Sequence, residues 1–334
     1  MTRVGVIGTT AWGLTLAVVL ASRGHDVTAL ARTAAEASDL DRERRSPRLP
    51  DGADFPPALR VTADPGEALG QAGIVLVAVP SVTMRANMRG QGKVLSPACL
   101  IVSATKGIEI ETGKRMSELI AEETGHDARR IGALSGPNLA PEIAQGRIAS
   151  ATVAFPDEAN ARTAQAALSS EVFRVYRSDD LTGVELGGAL KNIVAIGAGI
   201  IDSFSLGDNA KAAYVTRGLN EITRLGVAMG ARAETFAGLS GMGDLVATCY
   251  SGLSRNRRVG QELGRGRKLP EILRDLKQTA EGVPTTQAAS RLARELGVEV
   301  PITDMTRRVL FEDMTPQKAV EALMRRAPQP EVRL

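Results

Sequence analysis

Aromatic residues are scarce in this chain: one Trp, three Tyr and six Phe among 334 residues. So thin a supply argues against the base-stacking platforms of single-stranded nucleic-acid binders. Histidine and cysteine are scarcer still, with two of each: His25, His126, Cys99 and Cys249. With no Cys-x-x-Cys pair beside them, a His- or Cys-built metal site is excluded. Two cysteines make no disulfide framework, and they read as reduced, small, semi-buried residues of a cytoplasmic protein. Neither sign of charge dominates, at 41 basic against 38 acidic residues and a net charge of +3. The densest basic stretch is Arg255, Arg257, Arg258, Arg265, Arg267 and Lys268. It suits a phosphorylated small molecule or an RNA backbone, but an RNA face wants interleaved aromatics and only Tyr250 lies near. Long hydrophobic runs are missing too. The longest, residues 193–201, is glycine-broken and too short to cross a bilayer, so no membrane insertion is expected. No signal peptide precedes residues 4–7, which already read as core.

What is present is an ordinary globular balance, 43% hydrophobic and 24% charged, with 34 glycines. The length exceeds one ordinary core, so two domains are expected. In the first half, short β-rich runs alternate with helical ones. Strands are predicted at 3–7, 27–31, 60–62, 74–79, 100–103, 130–134, 151–154 and 173–176. Helices are predicted between them at 11–23, 65–72, 82–88, 113–123 and 156–169. Runs 74–79 and 100–102 are apolar throughout, as for strands covered on both faces. This alternation implies a mainly parallel, doubly wound sheet. Residues 42–57 carry four prolines and read as an exposed loop. Beyond about Ser178 the β signal fades into helical spacing at 183–203, 210–229, 233–237, 239–249, 255–265, 269–278, 285–296, 301–311 and 316–324. The expectation is therefore α/β: a Rossmann-like doubly wound domain over 1–178, then an all-α domain over 179–334. The tail from Arg325 is expected to fray.

The opening strand runs into Gly8-Thr9-Thr10-Ala11-Trp12-Gly13, a glycine turn at a helix start. Gly8 permits the turn, Gly13 lets helix pack on strand, and the helix N-terminus offers N–H groups and a positive dipole end to a pyrophosphate. Thr10 stands where close phosphate approach usually wants glycine, so the cofactor is expected slightly displaced. Context raises the motif, because it follows the first strand and opens a strand–helix–strand unit. NAD sites usually carry an acid at the end of the second strand. Here Arg32 stands there, 24 residues after Gly8. A guanidinium suits a 2′-phosphate, so NADP(H) is favoured over NAD(H).

Four further segments point to chemistry. Lys106 follows a buried strand at the carboxyl edge of the sheet, where such folds meet their ligands. Ser135-Gly136-Pro137-Asn138-Leu139-Ala140 is another strand, tight turn and helix start. Lys191 interrupts a small, apolar helix, a costly place for a lysine without partner or task. Asp244 lies in a glycine-rich bend, and Ser254-Arg255-Asn256 opens a helix, where hydroxyl, guanidinium, amide and helix end suit a phosphate. Taken singly, each has a plain structural alternative. Lys106 and Lys191 could be ion-pair lysines, Asp244 a cap and Arg255 a surface charge. Taken together beside a dinucleotide fold, they read as a site.

Those blocks, with Ser-Ala-Thr-Lys-Gly-Ile-Glu at 103–109, Glu-Leu-Gly-Gly-Ala-Leu-Lys-Asn-Ile at 185–193, Leu-Ser-Gly-Met-Gly-Asp-Leu at 239–245 and Glu281-Gly282, resemble the NAD(P)-dependent glycerol-3-phosphate dehydrogenases of the soluble bacterial type over nearly the whole chain. The resemblance implies interconversion of sn-glycerol 3-phosphate and dihydroxyacetone phosphate, feeding glycerophospholipid synthesis, by a homodimer. It places Gly8, Thr10, Ala11, Trp12, Gly13, Arg32, Lys106, Ala140, Arg255 and Glu281 at the cofactor. It makes Lys191 the proton donor and acceptor, with Lys106, Asp244, Gly136 and Asn138 at the substrate. Ser254, Arg255 and Asn256 would hold the substrate phosphate. Two departures stand out: Thr10 replaces the usual second glycine, and Ala11 stands where serine is common.

Hydride transfer to a ketone leaves an alkoxide that needs a cation and a proton. Neither histidine is well placed, so lysine is left. Lys106 and Arg255 are expected to lower the pKa of Lys191 by like-charge repulsion. Two alternatives remain open at this point. One is a hydroxyacid dehydrogenase of related architecture, which would need a carboxylate clamp rather than Ser254-Arg255-Asn256. The other is a non-catalytic NADP(H)-binding sensor, against which Lys106, Lys191 and Asp244 argue.

Overall fold

The computed structural model describes residues 2–276, 279–328 and 330–331. The chain divides into two compact units, Met1–Thr105 with Met116–Val184, and Lys106–Arg115 with Glu185–Leu334.

The first unit is built on strands β1 (Arg3–Ile7), β2 (Asp26–Leu30), β3 (Leu59–Thr62), β4 (Ile74–Val77), β5 (Leu100–Ser103), β6 (Ile131–Ser135), β7 (Ala149–Ala154) and β8 (Phe173–Ser178). They form one sheet in the order β3-β2-β1-β4-β5-β6-β7-β8. Every neighbouring pair is parallel except β6 and β7. Parallel neighbours need crossovers, and helices supply them. Strands β4, β5 and β6 are buried along their whole length, because apolar cores lie on both faces. One core gathers Leu14, Leu16 and Leu20 of helix Ala11–Ser22. The other gathers Met84, Met88, Leu119 and Ile120. The strand order turns back between β1 and β4, where sheets of this kind hold nucleotides outside the carboxyl ends of their strands. The doubly wound sheet expected from the sequence is the one observed.

Three local expectations are corrected. Helix Ala34–Glu43 was not foreseen, and its last two residues fall in the stretch read as loop. Its signal is a capping box, Thr33-x-x-Glu36, in which the Thr33 hydroxyl accepts from the Glu36 N–H at 3.2 Å. The helix read from 113 starts instead at Met116, because 106–115 packs with the second unit. The helix read over 239–249 is a π-turn, Leu239–Gly243, running into helix Asp244–Tyr250. Helix Leu269–Leu276 matches its expected start, and residues 277–278 of that reading lie outside the described residues. So do Gln329 and residues 332–334 of the expected frayed tail.

The second unit packs around helix Leu181–Ser203, most of which belongs to it. By length and composition alone this helix is apolar enough to cross a membrane, which corrects the shorter run read from sequence. Its apolar window is wholly buried inside the protein, as for a helix that is hydrophobic all round at the centre of a core. Glycine sets how closely its neighbour approaches. A Cβ on Gly199 would be driven into the Arg257 carbonyl oxygen, and one on Gly260 into that of Ile196. Helix Arg255–Gly264 therefore lies backbone against backbone on the central helix.

Candidate active site

In the first unit, the turn after β1 has no room for side chains at its two glycines. Gly8 adopts φ 109°, and a Cβ there would stand 2.8 Å from the Ala78 carbonyl oxygen. A Cβ on Gly13 would strike the Gly8 carbonyl. Thr10 caps helix Ala11–Ser22: its hydroxyl accepts from the Gly13 N–H at 3.1 Å and donates to Ala78 O at 2.8 Å. The threonine therefore does structural work that a glycine in its place lacks. Ala11 begins the helix, and Trp12 lies edge-on against Phe173, ring centroids 6.3 Å apart, half-buried on the core. Ala140 lies beside the same helix, its carbonyl accepting from Thr15 at 3.4 Å. At the end of β6, Gly136 has φ 145°, and a Cβ would crowd Ala151 at 2.9 Å. Both amide atoms of Asn138 are shielded from solvent without a hydrogen-bond partner. A tight glycine cradle at a helix N-terminus fits a dinucleotide bound along this edge, and the orphaned Asn138 amide is a buried polar group left for a bound ligand to satisfy.

Beyond β2, Arg32 is 77% exposed at its side chain and pairs with Glu36 at 3.5 Å. Glu36 accepts from the Thr9 hydroxyl at 2.9 Å and from the Arg32 N–H at 3.3 Å, and pairs with Arg48 at 2.8 Å. Burial pushes its pKa up. The Thr9 hydroxyl, the Arg32 N–H and the two guanidiniums outweigh that and hold it below the usual carboxylate value.

The second unit assembles the charged centre. Lys106 is carried on a strap, 106–115, that is fastened at several points. Ile108 is buried in the helical core. Arg115 pairs with the buried Glu185 at 2.6 Å, and Arg291 donates to Ile110 O at 3.0 Å. The π-turn then delivers Asp244, 2% exposed, at the start of its helix. Lys106 Nζ lies 2.5 Å from one Asp244 carboxylate oxygen, and Lys191 Nζ lies 2.8 Å from the other. Lys191 Nζ also donates to Thr248 Oγ1, whose own proton goes to the Asp244 carbonyl at 2.6 Å. Two ammoniums on one buried carboxylate leave a net positive charge, a place suited to an anion or a developing alkoxide.

Burial lowers the Lys191 pKa to about 8, with Lys106 repelling and Asp244 opposing the fall. This corrects the expectation that like charge is the main cause. Arg255 feels Glu281 instead: desolvation against the protein lowers its pKa and the Glu281 carboxylate raises it, while part of the side chain keeps solvent contact.

Ser254 caps helix Arg255–Gly264, accepting from the Arg257 N–H at 3.2 Å. First-turn N–H groups have no acceptor within their own helix. Asn256 is buried and braced, donating to Asn192 Oδ1 at 2.8 Å and accepting from the Gly282 N–H at 2.9 Å. Arg257 Nε meets Asp202 at 2.5 Å, and Lys211 meets the same carboxylate at 2.8 Å.

Comparison with known proteins settles the lineage. The family profile for the N-terminus of NAD-dependent glycerol-3-phosphate dehydrogenase matches residues 3–161, and that for the C-terminus matches 180–321. The chain belongs to the NAD-dependent glycerol-3-phosphate dehydrogenase family. A glycerol-3-phosphate dehydrogenase [NAD(P)+] of Dehalococcoides mccartyi is 48% identical over 326 residues, 97% of this chain and 91% of its own. One from Streptomyces griseus is 45% identical, covering 99% of this chain and 98% of its own. The crystal structure of the Coxiella burnetii glycerol-3-phosphate dehydrogenase superposes with a TM-score of 0.92 at 34% identity, covering 97% of this chain and 99% of that one. A ketopantoate reductase of Ralstonia eutropha, TM-score 0.58 at 16% identity over 95% of this chain and 99% of its own, shares the fold.

Within this glycerol-3-phosphate dehydrogenase fold, Lys106, Lys191 and Asp244 are joined by direct bonds. Ser254, Arg255 and Asn256 share one helix start, with Glu281 near Arg255. The two histidines lie elsewhere: His25 accepts from the Thr2 N–H, and His126 contacts Cys99 and Ser96 O. Both cysteines are free and fully buried rather than semi-buried. Sequence reasoning passed over Thr248, Asn192, Glu36 and Arg48. Thr248 had a signal, standing four residues after Asp244 on the same helix face.

Proposed function

We propose that this chain interconverts sn-glycerol 3-phosphate and dihydroxyacetone phosphate with NAD(P)(H), and that Lys191 moves the proton. The observation that carries the reading is the Lys106–Asp244–Lys191 bridge, with burial lowering the pKa of the Lys191 amine to about 8. When bound, the nicotinamide ring supplies or receives the hydride at the substrate carbon. In reduction the Lys191 ammonium gives its proton to the ketone oxygen; in oxidation the neutral amine takes it from the hydroxyl. Asp244 and Thr248 fix the direction of that amine, and Lys106 adds a second positive charge against the oxyanion. Gly136 and Asn138 border the substrate. Arg255, with the N–H groups at the start of its helix and the remaining N–H of Asn256, holds the phosphate. Ser254 shapes this end by capping it.

On the cofactor side, Gly8, Thr10, Ala11, Trp12 and Gly13 cradle the dinucleotide, with Arg32, Ala140 and Glu281 at its margins. Two unpaired cysteines suit a reducing cytoplasm. The exposed apolar side chains Met242, Val246, Tyr250 and Leu253 suit a homodimer. The product feeds glycerophospholipid synthesis.

The test is loss of NAD(P)H absorbance with dihydroxyacetone phosphate, set against α-keto acids. Lys191→Met should cut kcat by about three orders of magnitude while NADH still binds. A folded variant with near-normal turnover removes Lys191 from the mechanism, and preference for a keto acid transfers the chain to the hydroxyacid dehydrogenases.

A further inference from the structure

The central helix Leu181–Ser203 carries a second ionised residue, Asp202, that the reaction itself does not use. It lies eleven residues beyond Lys191, about 16 Å further along one helix. Lys191 holds Asp244 and Thr248, and Asn192 holds Asn256. Asp202 holds the segment between them, residues 251–254, which joins helix Asp244–Tyr250 to helix Arg255–Gly264. Its carboxylate accepts from Arg257 Nε at 2.5 Å, and from Lys211 Nζ at 2.8 and 3.0 Å on its two oxygens. Lys211 comes from the next helix, Gly207–Ala228. Each cation then grips one part of the segment. Arg257 Nη1 donates to Ser251 O at 3.3 Å, and the Arg257 N–H donates to the Ser254 hydroxyl at 3.2 Å. Lys211 Nζ stands 4.4 Å from the centre of the Tyr250 ring, the last residue of the helix that carries Asp244, within range of a cation–π attraction. The Lys211 side chain is only 7% exposed, and those of Arg257 and Asp202 are largely withdrawn from water. Ion groups so withdrawn add little net stability, because desolvation offsets their attraction. Fixing a geometry is the role left to them.

We propose that Asp202 is a positioning residue for the substrate phosphate: through Arg257 and Lys211 it ties both ends of segment 251–254 to the central helix, and so fixes how far Ser254, Arg255 and Asn256 stand from Lys191 and Asp244. This inference rests on the dehydrogenase reading given above. Both ends of the substrate are thereby referred to one rigid element. The proton-transfer end is set by Lys191, and the phosphate end by Asn192 and Asp202. The bonds of Lys191 to Asp244 and Thr248 do not pass through Asp202, so loss of Asp202 loosens the phosphate end and leaves the proton-transfer end in place.

The experiment is steady-state oxidation of NAD(P)H with dihydroxyacetone phosphate and with unphosphorylated dihydroxyacetone, with inorganic phosphate as a competing inhibitor. Asp202→Asn should raise KM for dihydroxyacetone phosphate and Ki for inorganic phosphate about tenfold. It should leave kcat within about threefold of wild type and kcat/KM for dihydroxyacetone within about twofold. Charge alone predicts the opposite sign, because neutralising an acid leaves its neighbourhood one unit more positive and draws a phosphate in. Asp202→Asn also strands the buried Lys211, so the double variant Asp202→Asn/Lys211→Met is measured beside it. That pair of changes keeps the net charge and leaves no lysine without its acid, and it should show the same rise. Circular dichroism certifies the fold. A folded variant whose KM and phosphate Ki stay near wild type, or fall, overturns the proposal. An equal loss with dihydroxyacetone also overturns it, by marking a general structural fault. Wild-type protein that turns over dihydroxyacetone phosphate no better than dihydroxyacetone overturns the dehydrogenase reading itself.

Discussion

Asp244→Asn keeps the shape of the side chain and removes its charge, and so isolates what the carboxylate does for Lys191. In the native protein that carboxylate lies 2.8 Å from Lys191 Nζ and 2.5 Å from Lys106 Nζ. Opposite charges about 4 Å apart at an effective dielectric of about 20 attract by about 4 kcal/mol. About 1.4 kcal/mol moves a pKa by one unit. The asparagine oxygen keeps part of the contact, while the repulsion from Lys106 goes unopposed, so a fall of about two units from the native value is expected. The sign follows from the roles. Oxidation of sn-glycerol 3-phosphate needs the neutral amine, so kcat/KM rises with pH through the Lys191 pKa, about 8 in the native protein. In the variant that inflection should move to about 6, and the plateau should drop because the amine is no longer aimed. The assay is the pH profile of kcat/KM in both directions at saturating cofactor, with circular dichroism to certify the fold. A folded Asp244→Asn enzyme whose inflection stays near 8 would show that the carboxylate does not tune Lys191, and the electrostatic reasoning would fall.

Arg255→Ala removes one charge-assisted contact worth about 2–3 kcal/mol, so KM for dihydroxyacetone phosphate should rise roughly a hundredfold while the Kd for NADH moves by less than about fivefold. Equal losses for substrate and cofactor would deny it a phosphate role. Gly260→Ala should lower stability by about 3 kcal/mol or more, read as a fall in Tm, because the new methyl meets the Ile196 backbone rather than a flexible side chain. A Tm within a degree of wild type would mean that the two helices slide apart without cost.

Much of the fold was legible because parallel sheets announce themselves. Residues 74–77 and 100–102 are apolar without interruption, and such short runs between turn signals read as strands covered on both faces. The glycine turn after β1 was legible for a similar reason: at Gly8 and Gly13 any side chain collides with backbone. Helix Ala34–Glu43 escaped because its interior carries only two buried apolar residues, Ala37 and Leu40, and its capping box was the remaining signal. The π-turn escaped because its hydrogen-bond spacing leaves no distinct periodicity.

The candidate site divides in the same way. Sequence alone determined that a lysine at 191 is an anomaly and that Ser254-Arg255-Asn256 begins a helix, because both follow from local pattern and the cost of burying charge. It also determined the family, through blocks whose order the chain itself records. Tertiary structure decided which charges meet. Lys106 is 138 residues from Asp244 and Lys191 is 53, and no periodicity encodes such a pairing. It arises when a strap held by Ile108 and Arg115 and a π-turn pressed on the central helix bring the part-buried Lys106 against the buried Asp244 and Lys191. The depth of that contact, which pulls the Lys191 pKa downwards more than any neighbouring charge does, is a property of packing and not of residue order.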